Sequence, residues 1–253
     1  MRILITNDDG VNAHGLEVLE RIARQISDDV TVVAPEFDQS GVAHSLSLND
    51  PLRLREVSPG HYAVKGTPTD CVLMGIHKIM LDRKPDLLLS GVNHGHNLAE
   101  DVFYSGTVAG AREGAILGIP SIALSQGFQP GMRDDTPWLC SETHAPAILQ
   151  SLLANGVPRD RLINVNFPGC APADVKGVSV TMQGRRDMSV VSLEERKDGR
   201  QRPYFWIRYG RSRATPLHGT DLDAVYNNRI SITPLQLDLT DNALQRRLAE
   251  VFA

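Results

Sequence analysis

The sequence predicts an α/β protein: a Rossmann-like, mostly parallel sheet with helices on both faces, followed by a β-hairpin arm and a terminal helix. Three observations carry this. Short apolar runs without polar alternation recur, which is the pattern of strands buried on both faces. These runs alternate with helix-period stretches through the first two thirds of the chain. Near Met182 the character then changes to a charged stretch and a single aromatic strand. A chain of 253 residues suits one core with an appended arm better than two equal domains. The expected division is a core over 1–180 and an extension over 181–253.

The elements follow in order. Residues 3–6 form a short buried strand, broken by Asn7, Asp8, Asp9 and Gly10. Leu16, Leu19, Ile22, Ala23 and Ile26 recur at helical spacing. Residues 30–34 are a second apolar strand, stopped by Pro35. Residues 71–80 read as helix, and Thr69 or Asp70 is the expected cap. Pro85 precedes a strand over 86–90, residues 107–117 are helical, and Pro120 opens a strand over 121–124. A helix over 144–153 leads to a strand over 162–166. Arg185 to Arg202 crowds charges ahead of an aromatic strand, Tyr204 to Tyr209, which together suggest a projecting hairpin. Residues 226–233 are strand-like. Residues 242–252 form a helix with Leu244, Leu248, Val251 and Phe252 on one stripe.

Composition narrows the function. With 26 basic and 30 acidic residues the net charge is −4, which excludes a general nucleic-acid binder but not a small anionic substrate. The cysteines Cys71, Cys140 and Cys170 show neither zinc-knuckle spacing nor a disulfide framework. The N-terminal apolar run is too short for a secretory signal, and no segment approaches a membrane span. A cytoplasmic protein with no membrane or DNA partner is expected.

The chemistry gathers where strands end, since a parallel sheet binds ligands outside the carboxyl ends of its strands. Asp8 and Asp9 leave a buried strand together, and adjacent carboxylates repel unless a cation lies between them. Asn93, in Ser90-Gly91-Val92-Asn93, and Ser40 offer neutral oxygens from two other loops. Two carboxylates with neutral oxygens and no thiolate describe a site for magnesium, manganese or calcium. Ser105 or Thr107 can cap the helix that follows, whose free N–H groups would face an anion. Gly110, Gly114 and Gly118 recur every four residues, consistent with a helix packed closely on the sheet. His94 and His96 are expected at a rim rather than as ligands.

Taken together, these segments resemble the SurE survival-protein family of 5′/3′-nucleotidases. The residues that carry it are Ile3 through Gly10, Val32-Val33-Ala34-Pro35 with Ser40, and Gly66 through Cys71. Ser90 through Asn97, Tyr104 through Val108, and Ser231 through Leu235 complete the set. The resemblance implies one divalent cation per subunit, Mg2+ or Mn2+ with Ca2+ possible, held by Asp8, Asp9, Ser40 and Asn93. It implies a phosphate site from Ser105, Gly106 and Thr107, bordered by Asn7 and Gly41, with Asp8 and Asp9 catalytic and a nucleoside monophosphate as substrate. It further implies a homo-dimer or homo-tetramer built with C-terminal arms. Rival readings are weaker. A phosphoacceptor receiver module would need an aspartate where Ser90-Gly91 stands, and a haloacid-dehalogenase-like phosphatase carries its acids two apart. A nucleotide-binding regulator without turnover is separated from an enzyme only by assay.

Overall fold

Ile3, Leu4 and Ile5 are fully buried, so strand β1 (Arg2–Thr6) has no solvent face and lies inside the sheet. The structure is a computed structural model that describes residues 1–128, 138–186, 191–209 and 215–253. Helix α1 (His14–Arg24) returns the chain to β2 (Asp29–Pro35), parallel to β1. A hairpin of β3 (Leu54–Ser58) and β4 (His61–Val64) closes that edge, β4 pairing with β2. Helix α2 (Pro68–Met74) continues as a π-helical turn over Gly75–Ile79 and leads to β5 (Leu87–His94) on the other side of β1. Short α3 (Asp101–Tyr104) runs into α4 (Gly106–Ile116). Strand β6 (Ser121–Gln126), helix α5 (Leu139–Asn155) and strand β7 (Arg161–Phe167) extend the parallel run.

The last third follows. Strand β8 (Val178–Val180) ends one edge, and β9 (Val191–Lys197) with β10 (Pro203–Tyr209) forms a separate antiparallel hairpin. Helix α6 (Asp221–Tyr226), strand β11 (Ile230–Gln236) and helix α7 (Asn242–Phe252) complete the chain. The main sheet runs β3-β4-β2-β1-β5-β6-β7-β11-β8. Strand β11 therefore enters it between β7, to which it is antiparallel, and β8. Residues 187–190, inside the charged stretch expected over 185–202, lie outside the described residues.

Two apolar layers hold the sheet. Leu16, Leu19 and Ile22 of α1 join Ala145, Ile148 and Leu149 of α5 over Ile3, Ile5, Leu87 and Leu89. On the other face Cys71 and Val72 of α2 join Val108, Ala111 and Ala115 of α4 over Leu4, Val33 and Leu88. Each fully buried Val, Leu or Ile among them stabilises the fold by about 1.5–3 kcal/mol. Helix α4 comes close because three of its residues, Gly106, Gly110 and Gly114, lack side chains. A Cβ on Gly110 would stand 2.9 Å from Ser90 Oγ and from Thr6 Cγ2, and one on Gly114 would stand 2.3 Å from Ser121 Oγ. Gly118 has a different reason, lying past the helix end with φ +77° and open space around it.

Several boundaries differ from expectation for local reasons. Thr67, rather than Thr69 or Asp70, caps α2: it accepts the Asp70 N–H while the Asp70 carboxylate accepts the Thr67 N–H, with Pro68 opening the helix. The strand expected over 226–233 begins only at Ile230, because Thr220 caps a helix that takes in Tyr226. Asn228 then turns the chain with φ +55°. Helix α5 extends beyond the expected 144–153 at both ends and keeps Pro146 inside it.

Candidate active site

The strand order reverses beside β1. The chain moves outward from β1 through β2 to one edge, then returns to β5 on the opposite side. Such a reversal is where the loops leaving the carboxyl ends of β1, β2 and β5 are expected to part and form a ligand crevice. Asp8 and Asp9 follow β1, Ser40 follows β2, and Asn93 lies near the end of β5, so all four expected cation ligands leave on these three segments.

Hydrogen bonds tie the segments together. The Asp8 carbonyl accepts the Gln39 N–H at 2.8 Å, which fixes the Ser40 loop against β1. Asp9 Oδ2 accepts the His94 N–H at 3.2 Å, which fixes Asp9 beside Asn93. Asn93 donates Nδ2–H to the Gly95 carbonyl at 2.9 Å, leaving its Oδ1 as an acceptor. Asn7, expected at the phosphate, donates Nδ2–H to the Gly10 carbonyl at 2.9 Å, while its buried Oδ1 has no partner among the described residues.

The electrostatics oppose two bare carboxylates here. Asp8 is only 4% exposed, and burial is the main reason its carboxyl is pushed up to about 7 from 3.8. Asp9 adds to the push, the Thr107 hydroxyl opposes it, and Asp38 contributes a smaller rise. Asp9 is also raised, first by burial and then by Asp38, against the lowering effect of the His94 N–H. A divalent cation relieves this strain of like charges. Among the described residues no group of three or more His, Cys, Asp or Glu side chains gathers as a metal site. A cation in this crevice would therefore be held by two carboxylates and neutral oxygens, a donor set that fits a hard ion. The unpartnered Asn7 Oδ1 beside the pair is an acceptor that such an ion's water can use.

Facing the acids is the start of α4. Ser105 is its cap, accepting the Val108 N–H on Oγ at 3.0 Å and the Ala109 N–H on its carbonyl. That leaves the Gly106 and Thr107 N–H groups as first-turn donors. The Thr107 hydroxyl already donates to Asp8 Oδ1 at 2.5 Å, so Thr107 offers an anion its main-chain N–H instead. A Cβ on Gly106 would stand 2.7 Å from Asp8 Cβ, so the helix start touches the acid directly. Gly41 lies on the exposed loop after Ser40, with nothing within 4 Å of where a side chain would begin.

His94 and His96 each engage groups outside the acid pair. The His94 ring stacks on Phe128 with centroids 4.4 Å apart, and His96 Nε2 bonds the Phe167 carbonyl at 2.9 Å. Two contributors were missed. The Asp38 carboxylate accepts both the N–H and the hydroxyl of Ser40, a bond that its Asp-x-Ser spacing signals locally. Asn97 anchors the loop beyond Asn93 through Asn166, Ser125 and Asn164, partners too far away in sequence to be foreseen.

Comparison with known proteins identifies the family and the fold. The family described as survival protein SurE matches residues 3–190. A curated relative from Beijerinckia indica, named 5′-nucleotidase SurE, is 61% identical over 99% of this chain and 96% of its own length. Another of the same name, from Methylocella silvestris, is 60% identical over 99% of each chain. The crystal structure of SurE protein from Aquifex aeolicus superposes with a TM-score of 0.85 at 38% identity, covering 100% of both chains. With the family matched over residues 3–190 and the fold shared with a solved relative along its whole length, the chain belongs to the SurE survival-protein family.

Proposed function

We propose that this chain is a divalent-metal-dependent nucleotidase that hydrolyses nucleoside 5′-monophosphates, and 3′-monophosphates as well, to nucleoside and phosphate. One observation carries the reading: a buried, mutually repelling carboxylate pair lies against the open first turn of α4. The names of the relatives support the substrate class. Asp8, Asp9, Ser40 and Asn93 hold the ion, which supplies charge neutralisation and an activated water. The Gly106 and Thr107 N–H groups and the Ser105 hydroxyl hold phosphoryl oxygens as charge redistributes in the transition state. Asn7 and Gly41 border the same space. The test is phosphate release from a panel of nucleoside monophosphates. Chelator is expected to abolish steady turnover, and Mg2+ or Mn2+ to restore it. A protein that binds nucleotides but releases no phosphate with any divalent ion is a regulator, and the reading fails.

The chemistry on this reading belongs to residues 1–180, while 181–253 assembles a homo-dimer or homo-tetramer. The described part of the hairpin exposes Leu193, Phe205, Trp206 and Ile207, the last 72% exposed. Helix α7 buries no residue and leaves Leu244, Leu248, Val251 and Phe252 in solvent. Apolar faces of this kind mark a surface that a partner covers, and a second copy is the simplest partner. Light scattering is expected to give a multiple of the 27.7 kDa subunit mass. Shortening the chain after Asp238 removes α7 and spares β11. That truncation or the pair Phe205→Ser and Ile207→Ser should lower the mass, and an intact chain that is monomeric at micromolar concentration overturns the assignment.

A further inference from the structure

Ser40 has two donors, its N–H and its hydroxyl, and both go to one oxygen. Asp38 Oδ1 accepts the N–H at 2.7 Å and the hydroxyl at 2.6 Å. A serine oxygen can give a lone pair to a cation only if its proton is directed elsewhere. Left to itself the hydroxyl rotates, and ordering it on ion binding costs free energy. A carboxylate acceptor at this distance is a charge-assisted bond, among the stronger kinds. One residue back from Ser40, the Gln39 N–H is bound to the Asp8 carbonyl at 2.8 Å. The Ser40 oxygen is thus fixed from both sides, in position relative to Asp8 and in the direction of its proton. The Asp38 carboxylate also lies near enough to raise both Asp8 and Asp9.

We propose that Asp38 is a positioning residue for the cation site, holding the Ser40 hydroxyl proton so that the serine oxygen presents a lone pair to the ion. The inference rests on the cation site proposed above and deepens it. Asp38 touches neither substrate nor the reacting atoms in this role; it acts through Ser40. Its charge is secondary, because Asp38 and Ser40 are both exposed and solvent screens the carboxylate at physiological salt. Orientation and charge are separable by substitution. Asn in place of Asp38 keeps an acceptor oxygen and removes the charge, whereas Ala removes both.

Mn2+ affinity of the full-length protein, read by electron paramagnetic resonance titration without substrate, tests this independently of turnover. Asp38→Ala is expected to weaken Mn2+ binding by about 10- to 100-fold, the usual cost of losing a group that orients a ligand. Ser40→Ala should weaken it similarly, and the double variant no further, since both changes remove one interaction. Asp38→Asn should restore affinity to within about threefold of the unaltered chain, consistent with a screened charge. Full additivity in the double variant, or Asp38→Asn as weak as Asp38→Ala, shows that Asp38 acts by charge or by loop stability, and the proposal fails. Unchanged affinity in Asp38→Ala overturns it as well. Failure of the underlying site is a different result: the unaltered protein binds no Mn2+, or Asp8→Asn binds it as well as the unaltered protein does.

Discussion

Asp8→Asn is expected to abolish phosphate release, by about a thousandfold or more, while making the metal-free protein more stable. The two effects share one cause. Asp8 is nearly fully buried, and its carboxyl titrates at about 7 in the fold against 3.8 ordinarily. A folded-state value above the unfolded one means the folded protein keeps a proton that the unfolded chain releases. Stability is then fully present below pH 4 and falls as pH rises towards 7, by up to about 1.4 kcal/mol per pH unit. Above that window the ionised, buried carboxylate costs on the order of 4 kcal/mol. Asn cannot ionise, so the variant's unfolding midpoint in chelator should fall less steeply across this window, with Asp9 still contributing a slope, and should be higher than that of the unaltered chain at pH 8. Divalent cation should stabilise the unaltered protein at pH 8 and leave the variant unmoved. Denaturant titrations at pH 5 and pH 8, with and without Mn2+, measure all three. An Asp8→Asn protein with full turnover, or with the same pH slope as the unaltered chain, removes Asp8 from the centre of the site.

That cost explains why the acid pair stands out in the sequence. Paired acids at the mouth of a buried strand conflict with folding unless something compensates, and such a conflict is visible as Asp8-Asp9 following Ile3-Leu4-Ile5. The parallel strands were legible for a related reason: burial on both faces leaves unbroken apolar runs such as Leu87-Leu88-Leu89. Edge strands carry no such mark. Strand β3 is mostly exposed and β8 is three residues long, so neither stands out from a loop. Helix α6 depends on its Thr220 cap and on Asp221, whose carboxylate accepts N–H groups from Ala99 and Gly184. Those partners are distant in sequence and become neighbours only in the fold. The Thr107 hydroxyl belongs to the same class. Its position at a helix start was plain, but its bond to Asp8 spans 99 residues.

Gly106→Ala tests how closely helix and acid must approach. Gly106 is not among the glycines with positive φ, so Ala meets no backbone objection there. The objection is space. The added carbon would stand 2.7 Å from Asp8 Cβ and 2.9 Å from Asp8 Oδ2, where carbon contacts are comfortable at about 3.5–4.0 Å. Helix propensity favours Ala over Gly by at most about 1 kcal/mol, and less at a first position, so it does not offset the overlap. Either Asp8 moves or the start of α4 moves, by about 1 Å in both cases. The Asp8 side can give little, since Thr107 holds its carboxylate and Gln39 holds its carbonyl. The helix is held from below by Gly110 against Thr6 and Ser90. Whichever yields, the spacing between the carboxylate pair and the free N–H groups changes, and a displacement of that size is expected to lower kcat/KM by about 100-fold. Ala109→Gly is a useful comparison, because it loosens the same helix by about 1 kcal/mol and removes a buried methyl group without adding a carbon beside Asp8. Should Gly106→Ala keep the kcat/KM of the unaltered protein, or Ala109→Gly lose as much as it does, close approach of α4 to Asp8 is not what sets the rate.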